Sequence, residues 1–201
     1  MAAMQTDAPS TDLWVERCRS GDPVAWRHLY DEHFPMVFRL AIRLGASERE
    51  AADISQEVVL RAWKGLHTFR GEAQFRTWLY RITFNETSRF AKKAGLRRKL
   101  SAVLQLFGAE PAPPAPGPDR QAERSEAFAH LQLILGRLKP KQRSVFVLYE
   151  IEELSLEEIA DLLGCPLETV RSRLRLARAD FDRLRRHPGL AASAATTGFR
   201  P

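Results

Sequence analysis

The segment from Leu154 to Leu174 constrains the fold of this 201-residue chain more than any other. Ser155 and Glu158 have the spacing of a capping box, so a helix is predicted to begin there. Gly164 predicts the end of that helix, because glycine adopts the positive φ of a C-cap, and Pro166 suits the first turn of a following helix. The segment therefore predicts two helices joined by a tight turn.

The second of these helices has an apolar stripe and a basic face. Its apolar residues recur at alternating spacings of four and three, which places them on one stripe: Val170, Leu174, Ala177, Phe181 and Leu184. The polar residues off that stripe are Arg171, Ser172, Arg173, Arg175 and Arg178. This combination is typical of a helix-turn-helix that reads a major groove. The alternative is an ordinary helical hairpin with a solvated basic face, but the caps, the turn and the arginines all favour DNA binding.

The charge and the cysteines narrow the class of protein. A net charge of +6 and a pI near 9.7 favour a polyanionic partner, nucleic acid before membrane. The sequence has no apolar run of about 20 residues and no signal peptide in its first twelve, so we expect a cytoplasmic protein without membrane insertion. Cys18 and Cys165 belong to no Cys-x-x-Cys pair, which argues against zinc and disulfides. We expect each to be a small buried side chain.

Helical periodicity runs through most of the chain, which predicts an all-α fold of two small helical domains. A flexible Pro/Ala-rich linker joins them, because five prolines fall between Phe107 and Asp119. The predicted divisions are a disordered N-terminus (1–11), a first domain (12–99), the linker (100–120), a second domain with the helix-turn-helix (121–186) and a disordered tail (187–201).

Four helices and a loop are predicted in the first domain. The helices are Asp12–Arg19, Pro23–Leu44, a segment from the Ser47 cap to Trp63, and a segment from about Gln74 to Lys93. Pro35 is expected to kink or interrupt the second of them. The residues from Leu66 to Ala73 are predicted to form a loop.

No pattern of catalytic residues is present. The five histidines are scattered, and phosphate-binding glycine loops and nucleophile motifs are missing. A group of acidic residues is expected to be solvated helix surface: Glu152, Glu153, Glu157 and Glu158. We therefore expect no enzyme activity, no metal and no cofactor.

The first domain also contains a segment in which aromatic and basic residues alternate. The aromatic residues are Phe69, Phe75, Trp78, Tyr80, Phe84 and Phe90, and the basic ones are Arg70, Arg76, Arg81, Arg89, Lys92, Lys93, Arg97, Arg98 and Lys99. Aromatic rings can stack on unpaired bases while cations follow the phosphates. The loop around Gly71 is a candidate pocket for an extruded base. The alternative for Trp78 and Phe84 individually is core packing.

Three segments resemble bacterial RNA polymerase sigma factors of the extracytoplasmic-function (ECF) type. They are Ala52–Trp63, Phe69–Ile82 with Asn85 beyond it, and Leu138–Tyr149. The resemblance implies a factor that binds core RNA polymerase through the β′ clamp helices and the β flap and directs promoter-specific initiation. It implies promoter DNA and an anti-sigma factor as further partners.

The resemblance also assigns roles to single residues. Polymerase binding falls to Asp53, Gln56 and Glu57, whose spacing of three and four places them on one helix face. Recognition and melting of the −10 element fall to Phe69, Arg70, Gly71, Glu72, Phe75, Arg76, Trp78, Arg81 and Asn85. Recognition of the −35 element falls to Arg171, Ser172, Arg173, Arg175 and Arg178.

One position departs from the family pattern. Arginine is common in the family where this chain has Leu176, and Arg175 falls one position earlier, which rotates the side chain by about 100°. The −35 sequence that relatives recognise is therefore not transferred to this chain.

Two rival functions each leave part of the chain unexplained. A stand-alone helix-turn-helix regulator does not explain the segment from Asp53 to Arg81. A single-strand nucleic-acid-binding protein does not need the helix-turn-helix.

Overall fold

The computed structural model describes residues 11–69, 71, 74–106 and 126–186, and within these ranges every regular element is helical. The helices are α1 (Thr11–Arg19), α2 (Pro23–Arg43), α3 (Glu48–Gly65), α4 (Phe75–Leu106), α5 (Glu126–Arg137), α6 (Pro140–Phe146), α7 (Leu156–Leu163) and α8 (Leu167–Arg185). A short 3-10 turn covers Leu66–Thr68 and a π-helical turn covers Val147–Ile151. Residues 1–10 of the predicted disordered N-terminus, the predicted tail 187–201 and residues 107–125 around the prolines lie outside the described residues, whereas Thr11, which was assigned to that N-terminus, begins α1.

The described chain divides into two compact units. The first contains residues up to Ala41 together with Glu50–Phe90, and the second contains Ile42–Arg49 together with residues from Ala91 onward. The prediction of an all-α fold with two helical parts is confirmed.

Helix α2 begins at a side-chain cap and continues through its proline. Asp22 Oδ1 accepts hydrogen bonds from the backbone N–H groups of Val24 (2.9 Å) and Ala25 (3.3 Å), and so satisfies two donors of the first turn. The Arg17 guanidinium, 2.7 Å from Asp22, lowers the pKa of that carboxyl. Of the two effects predicted for Pro35, a kink or an interruption, the interruption is wrong, because α2 is continuous there. Pro35 is exposed, so water can satisfy the carbonyl that lacks its helical partner.

Helix α4 is longer than its sequence pattern suggested. It extends to Leu106 rather than ending near Lys93, so the first seven residues assigned to the linker are helical. The first proline of the predicted linker is Pro111. The intervening sequence is rich in leucine, lysine and arginine, which have high helix propensity.

The core of the first unit is an apolar cluster contributed by α1, α2, α3 and α4 and by the residues that connect α3 with α4. Its buried members are Val15, Cys18, Ala25, Leu29, Ala62, Leu66, Phe69, Phe75 and Leu79. Burial in this cluster raises the pKa of the Cys18 thiol, as expected for a cysteine that packs as a small apolar side chain.

The second unit has its own core beneath α8. Val145, Val147, Leu148 and Ile159 are fully buried. The predicted solvation of the acidic group is wrong for Glu152, which is 5% exposed, whereas Glu153 and Glu157 are exposed. Glu152 ends the π-helical turn, and its buried carboxylate accepts a hydrogen bond from Arg43 Nη1 (2.6 Å), which pairs the charge.

Candidate nucleic-acid interface

The caps predicted for the helix-turn-helix are present between α7 and α8. Glu158 N donates to Ser155 Oγ (3.2 Å) while Ser155 N donates to Glu158 Oε2 (2.9 Å), which completes the capping box. Gly164 has φ +59° and ψ +44°, the left-handed conformation of a helix C-cap. Pro166 is the N-cap of α8. These local features fix where α7 begins and ends and where α8 begins.

The inner face of α8 packs on the core of the second unit. Val170, Leu174 and Ala177 are buried, and the Phe181 ring stacks on Phe146 with centroids 4.6 Å apart. Because these positions share one stripe, the opposite face of the helix is turned to solvent. The packing thereby sets which side chains of α8 are available to a ligand.

The arginines predicted to contact DNA differ in their contacts within the protein. Arg171 forms an ion pair with Glu168, one turn earlier on the same exposed face. Arg173 Nη1 lies 3.5 Å from Cys165 Sγ in the turn, and Arg173 is half-buried. Arg175 is exposed on the same helix, as is Ser172. All of these except Arg173 present their polar groups to solvent.

Arg178 is held by residues outside α8. Its Nε donates to Glu150 Oε1 (2.6 Å), and its guanidinium lies over the Tyr149 ring, 5.2 Å from the centroid. The hydrogen bond to Glu150 raises the pKa of Arg178. A guanidinium held between a carboxylate and an aromatic ring is restricted in where it can reach.

The residues predicted to bind polymerase lie on one side of α3. Asp53 and Gln56 are exposed. Glu57 is half-buried and accepts a hydrogen bond from Arg61 Nε (3.0 Å), and Arg89 Nη2 of α4 lies 3.6 Å from it. Glu57 is thus paired with arginines of its own unit, whereas the side chains of Asp53 and Gln56 face solvent.

Glu86, which no sequence motif singled out, is the buried carboxylate of this cluster. Its side chain is 5% exposed, with Arg61 Nε 2.8 Å from Oε1 and Arg89 Nη2 3.2 Å from Oε2. A buried carboxylate is stable only when it is paired, so the two arginines and Glu86 hold α3 against α4.

The aromatic residues proposed to receive a base are packed against one another. Phe69 (6% exposed) and Phe75 (3% exposed) are buried, with ring centroids 5.6 Å apart. The partly buried Trp78 ring lies 5.4 Å from Phe69 and 5.5 Å from Phe75. In this arrangement the faces of the two phenylalanines are occupied by protein, so they support the loop and offer little surface to a base.

The polar residues beside this cluster are exposed. Arg81 and Asn85 are one helical turn apart on the outer side of α4, opposite the buried Thr83. Arg76 is exposed near the start of the helix and lies over the Tyr80 ring, 5.3 Å from its centroid. Gly71 is exposed with φ +74°. Arg70 and Glu72, also predicted to contact the −10 element, lie outside the described residues.

No group of His, Cys, Asp and Glu suited to a metal occurs among the described residues. Within the same residues, no helix combines the length and the apolar character needed to cross a membrane.

Comparison with protein families shows the class to which this fold belongs. The chain matches the models for Sigma-70 region 2, over residues 29–97, and for Sigma-70, region 4, over residues 129–181. The first range covers most of α2, α3 and much of α4, and the second covers α5 to α8 except the ends of α5 and α8. The two matches define a two-region protein of the sigma-70 class.

Relatives narrow the class further. The chain is 34% identical over 180 residues to the ECF RNA polymerase sigma factor SigE of Mycolicibacterium smegmatis, covering 88% of this chain and 69% of that protein. It is 33% identical over 174 residues to the RNA polymerase sigma-H factor of Pseudomonas aeruginosa, covering 84% and 90%. The chain belongs to the ECF family of RNA polymerase sigma factors. Membership supports a role in promoter-specific transcription initiation through RNA polymerase.

Solved structures have the same fold. CnrH, solved in complex with the cytosolic domain of CnrY, aligns with a TM-score of 0.61 at 26% identity, covering 87% of this chain and 97% of that one. The sigma factor RpoE of Bartonella quintana, solved with the anti-sigma factor NepR, aligns with a TM-score of 0.59 at 22% identity, covering 81% and 97%.

Proposed function

We propose that this chain carries core RNA polymerase to promoters by dividing recognition between its two units. The second unit binds the −35 element through α8, and the first unit binds polymerase through α3 and opens the −10 element beside α4. The observation that carries the proposal is the outer face of α8, where Ser172 and Arg175 are exposed beyond a fully formed helix-turn-helix. Binding and strand opening require no catalytic group from this chain.

The arginines of α8 are proposed to make different contacts with the −35 element, according to their geometry. Arg171 and Arg175 are exposed and suited to bidentate contact with guanine O6 and N7. Arg178, held by Glu150 and Tyr149, suits a phosphate on the groove edge, which fixes orientation without reading sequence. Arg173, close to Cys165, supports the turn as well as the DNA contact.

Polymerase binding rests on the exposed polar residues of α3. Asp53 and Gln56 present a carboxylate and an amide that can pair with arginines of the β′ clamp helices. Glu57 contributes by orienting Arg61. A contact of the second unit with the β flap is proposed from family membership alone.

Opening of the −10 element is assigned to the polar surface around the aromatic cluster. Phe69 and Phe75 form a rigid support, and Asn85 and Arg81 face the strand, with Asn85 hydrogen-bonding the edge of an extruded base. Trp78, which is only partly buried, lies between the support and the surface. Arg70, Gly71, Glu72 and Arg76 are proposed to complete the loop that receives the base.

An anti-sigma partner is proposed from the likeness to RpoE, which was solved with NepR. Exposed apolar side chains on the first unit support it, among them Leu60 (54% exposed) and Tyr30 (37% exposed), and Tyr30, His33 and Phe34 line a small apolar groove. Trp63 (46% exposed) adds exposed apolar area on α3. A partner covering the polymerase-binding helix would compete with core polymerase, so adding it should inhibit initiation.

Run-off transcription with purified core polymerase tests the proposed function. The wild-type chain should give a transcript of defined length from promoter templates selected with the holoenzyme, and none from templates with a scrambled −35 or −10 element. A chain that binds the selected duplex equally well without polymerase and adds no initiation would be a stand-alone regulator. A chain that binds single strands without promoter preference would support the second rival.

A further inference from the structure

The outer face of α8 has a charged half and a neutral half. With about 100° between successive residues, Glu168, Arg171 and Arg175 fall on one side of the outward direction. Thr169, Ser172 and Leu176 are spaced by three and four and fall on the other side. The two halves lie next to each other, so a duplex against this face meets both.

Leu176 is the apolar member of the neutral half. It is 44% exposed, whereas Leu174, two residues earlier on the inner face, is 5% exposed. An isolated exposed leucine on an ordinary surface needs no explanation. This one is one turn from Ser172 and next to Arg175, on the face proposed to enter DNA.

A leucine side chain has no group that can donate or accept a hydrogen bond. The edges of the base pairs in the major groove present hydrogen-bonding groups, and the apolar feature among them is the 5-methyl group of thymine. A leucine held in the groove would therefore bury its methyl groups against a thymine and would gain nothing from guanine, adenine or cytosine at that position.

We propose that Leu176 is a specificity-determining residue that contacts the 5-methyl group of one thymine in the −35 element. The proposal rests on the proposed function, since it requires α8 to lie in the major groove of promoter DNA. Arg175 supports it from the adjacent position, because its exposed guanidinium can contact a guanine while Leu176 covers the methyl group of a neighbouring thymine. The −35 element of this protein then combines a guanine contact with a methyl contact.

Replacing thymine by deoxyuridine tests the contact, because the change removes only the methyl group. The −35 sequence is first selected with wild-type holoenzyme from randomised promoters. Each thymine of the selected site is then replaced singly by deoxyuridine, and holoenzyme binding is measured. At one position the wild type should lose about fourfold in affinity, which corresponds to about 0.8 kcal/mol for one buried methyl-sized group.

Protein variants connect that loss to Leu176. Leu176→Ala holoenzyme should bind the thymine and deoxyuridine templates equally well at the sensitive position. Leu176→Met, which keeps an apolar side chain of similar volume, should retain a preference for thymine. Leu133→Ala on α5 is the matched control, since Leu133 is 42% exposed in the same unit and lies outside the proposed interface. It should keep the full wild-type sensitivity.

Three results would overturn the proposed contact of Leu176 with thymine and leave the proposed function intact, provided that promoter-dependent initiation is still observed. They are a selected −35 site without thymine, a site in which no deoxyuridine reduces binding, and a Leu176→Ala holoenzyme with undiminished sensitivity. Failure of the proposed function has a different signature: wild-type holoenzyme then shows no preference for the selected promoter over a scrambled duplex and gives no run-off transcript.

Discussion

Arg178 on α8 lies 2.6 Å from a carboxylate oxygen of Glu150, a residue of the π-helical turn that follows α6. The pair joins residues 28 positions apart in the chain, and Tyr149 supports the guanidinium from its ring face. The contact ties α8 to the turn that precedes α7. It also restricts the positions that the Arg178 guanidinium can reach.

The Glu150 and Arg178 side chains should stabilise the second unit by a small amount. Both are partly exposed, so the coupling energy in a double-mutant cycle of Glu150→Gln and Arg178→Gln should be about 0.2–1 kcal/mol by urea unfolding. Glu153→Gln, an exposed neighbour that follows the π-helical turn, is the control and should show no coupling to Arg178→Gln.

The Arg178→Ala variant should bind all promoters more weakly by a similar factor, and the salt dependence of its binding should be flatter. A loss confined to one −35 base pair would instead show that Arg178 reads a base.

Gly164 should tolerate no side chain, for a conformational reason. A Cβ at this position meets nothing within 4 Å, but φ is +59°, so Gly164→Ala should destabilise the protein by about 1–2 kcal/mol. Gly136 on α5 is the matched control, because its Cβ also meets nothing within 4 Å and its φ is not positive. Gly136→Ala should stabilise the protein by about 0.5–1 kcal/mol. Urea unfolding measures both, and equal effects of the two substitutions would contradict the role of the left-handed turn.

The helix-turn-helix was predictable because its determinants are local. Ser155, Glu158 and Gly164 act on residues within one turn of themselves, and the 3.6-residue period places Val170 and Leu174 on the buried side. These are short-range relations that a sequence displays directly. The pair of Arg178 with Glu150 was not predictable, since nothing in the sequence brings positions 28 apart together.

The first unit shows the same distinction. The helices were predicted, but the sequence of the aromatic segment did not reveal which rings are buried. Phe69 precedes α4 and Phe75 is its first residue, so the helical period of the apolar residues does not indicate their orientation. The role of Glu86 depends on Arg61 from another helix. Glu57 matched a family position, yet its contact with Arg61 emerged only from the packed structure.

Asp53 and Gln56 should affect polymerase binding without affecting the fold. The double variant Asp53→Ala/Gln56→Ala removes two exposed polar side chains, and loss of charge-assisted hydrogen bonds costs about 1.5–3 kcal/mol each. Pull-down of core polymerase should therefore weaken while urea unfolding stays unchanged. Glu57→Gln should reduce both, because Arg61 and Arg89 lose part of their pairing. Capture of core at wild-type strength by the double variant would remove these residues from the interface.

Substitutions at Phe75 and Asn85 should affect different properties: the free energy of unfolding at Phe75 and strand opening at Asn85. Phe75→Ala leaves a cavity in the core and should cost about 3–5 kcal/mol of unfolding free energy. Asn85→Ala changes an exposed side chain and should leave stability within about 0.5 kcal/mol. Permanganate footprinting should show fewer open complexes with Asn85→Ala on duplex DNA and altered −10 preference on a pre-melted template. Normal opening and unchanged preference would exclude Asn85 as the base-reading residue.

His33 should make the stability of the first unit depend on pH. Its ring lies 5.2 Å from Phe75 and lines the apolar groove, and burial lowers its pKa below the ordinary value of 6.5. Arg76 and His28 lower this pKa further, while Glu32 opposes them. The unfolded chain therefore takes up a proton at a higher pH than the folded chain does, so the free energy of unfolding falls as the pH drops below about 6.5. The fall ends once the pH has passed the pKa of His33 in the folded protein.

Substitution of His33 should remove this contribution. Melting temperatures measured from pH 7.5 to pH 5 should fall less steeply for His33→Gln than for the wild type. His67→Gln is the control, because His67 is exposed in the same unit and is not among the groups that shift the pKa of His33. It should keep most of the wild-type slope. An unchanged slope in His33→Gln would assign the pH dependence to other groups, because a neutral glutamine cannot reproduce a titration that depends on the imidazole.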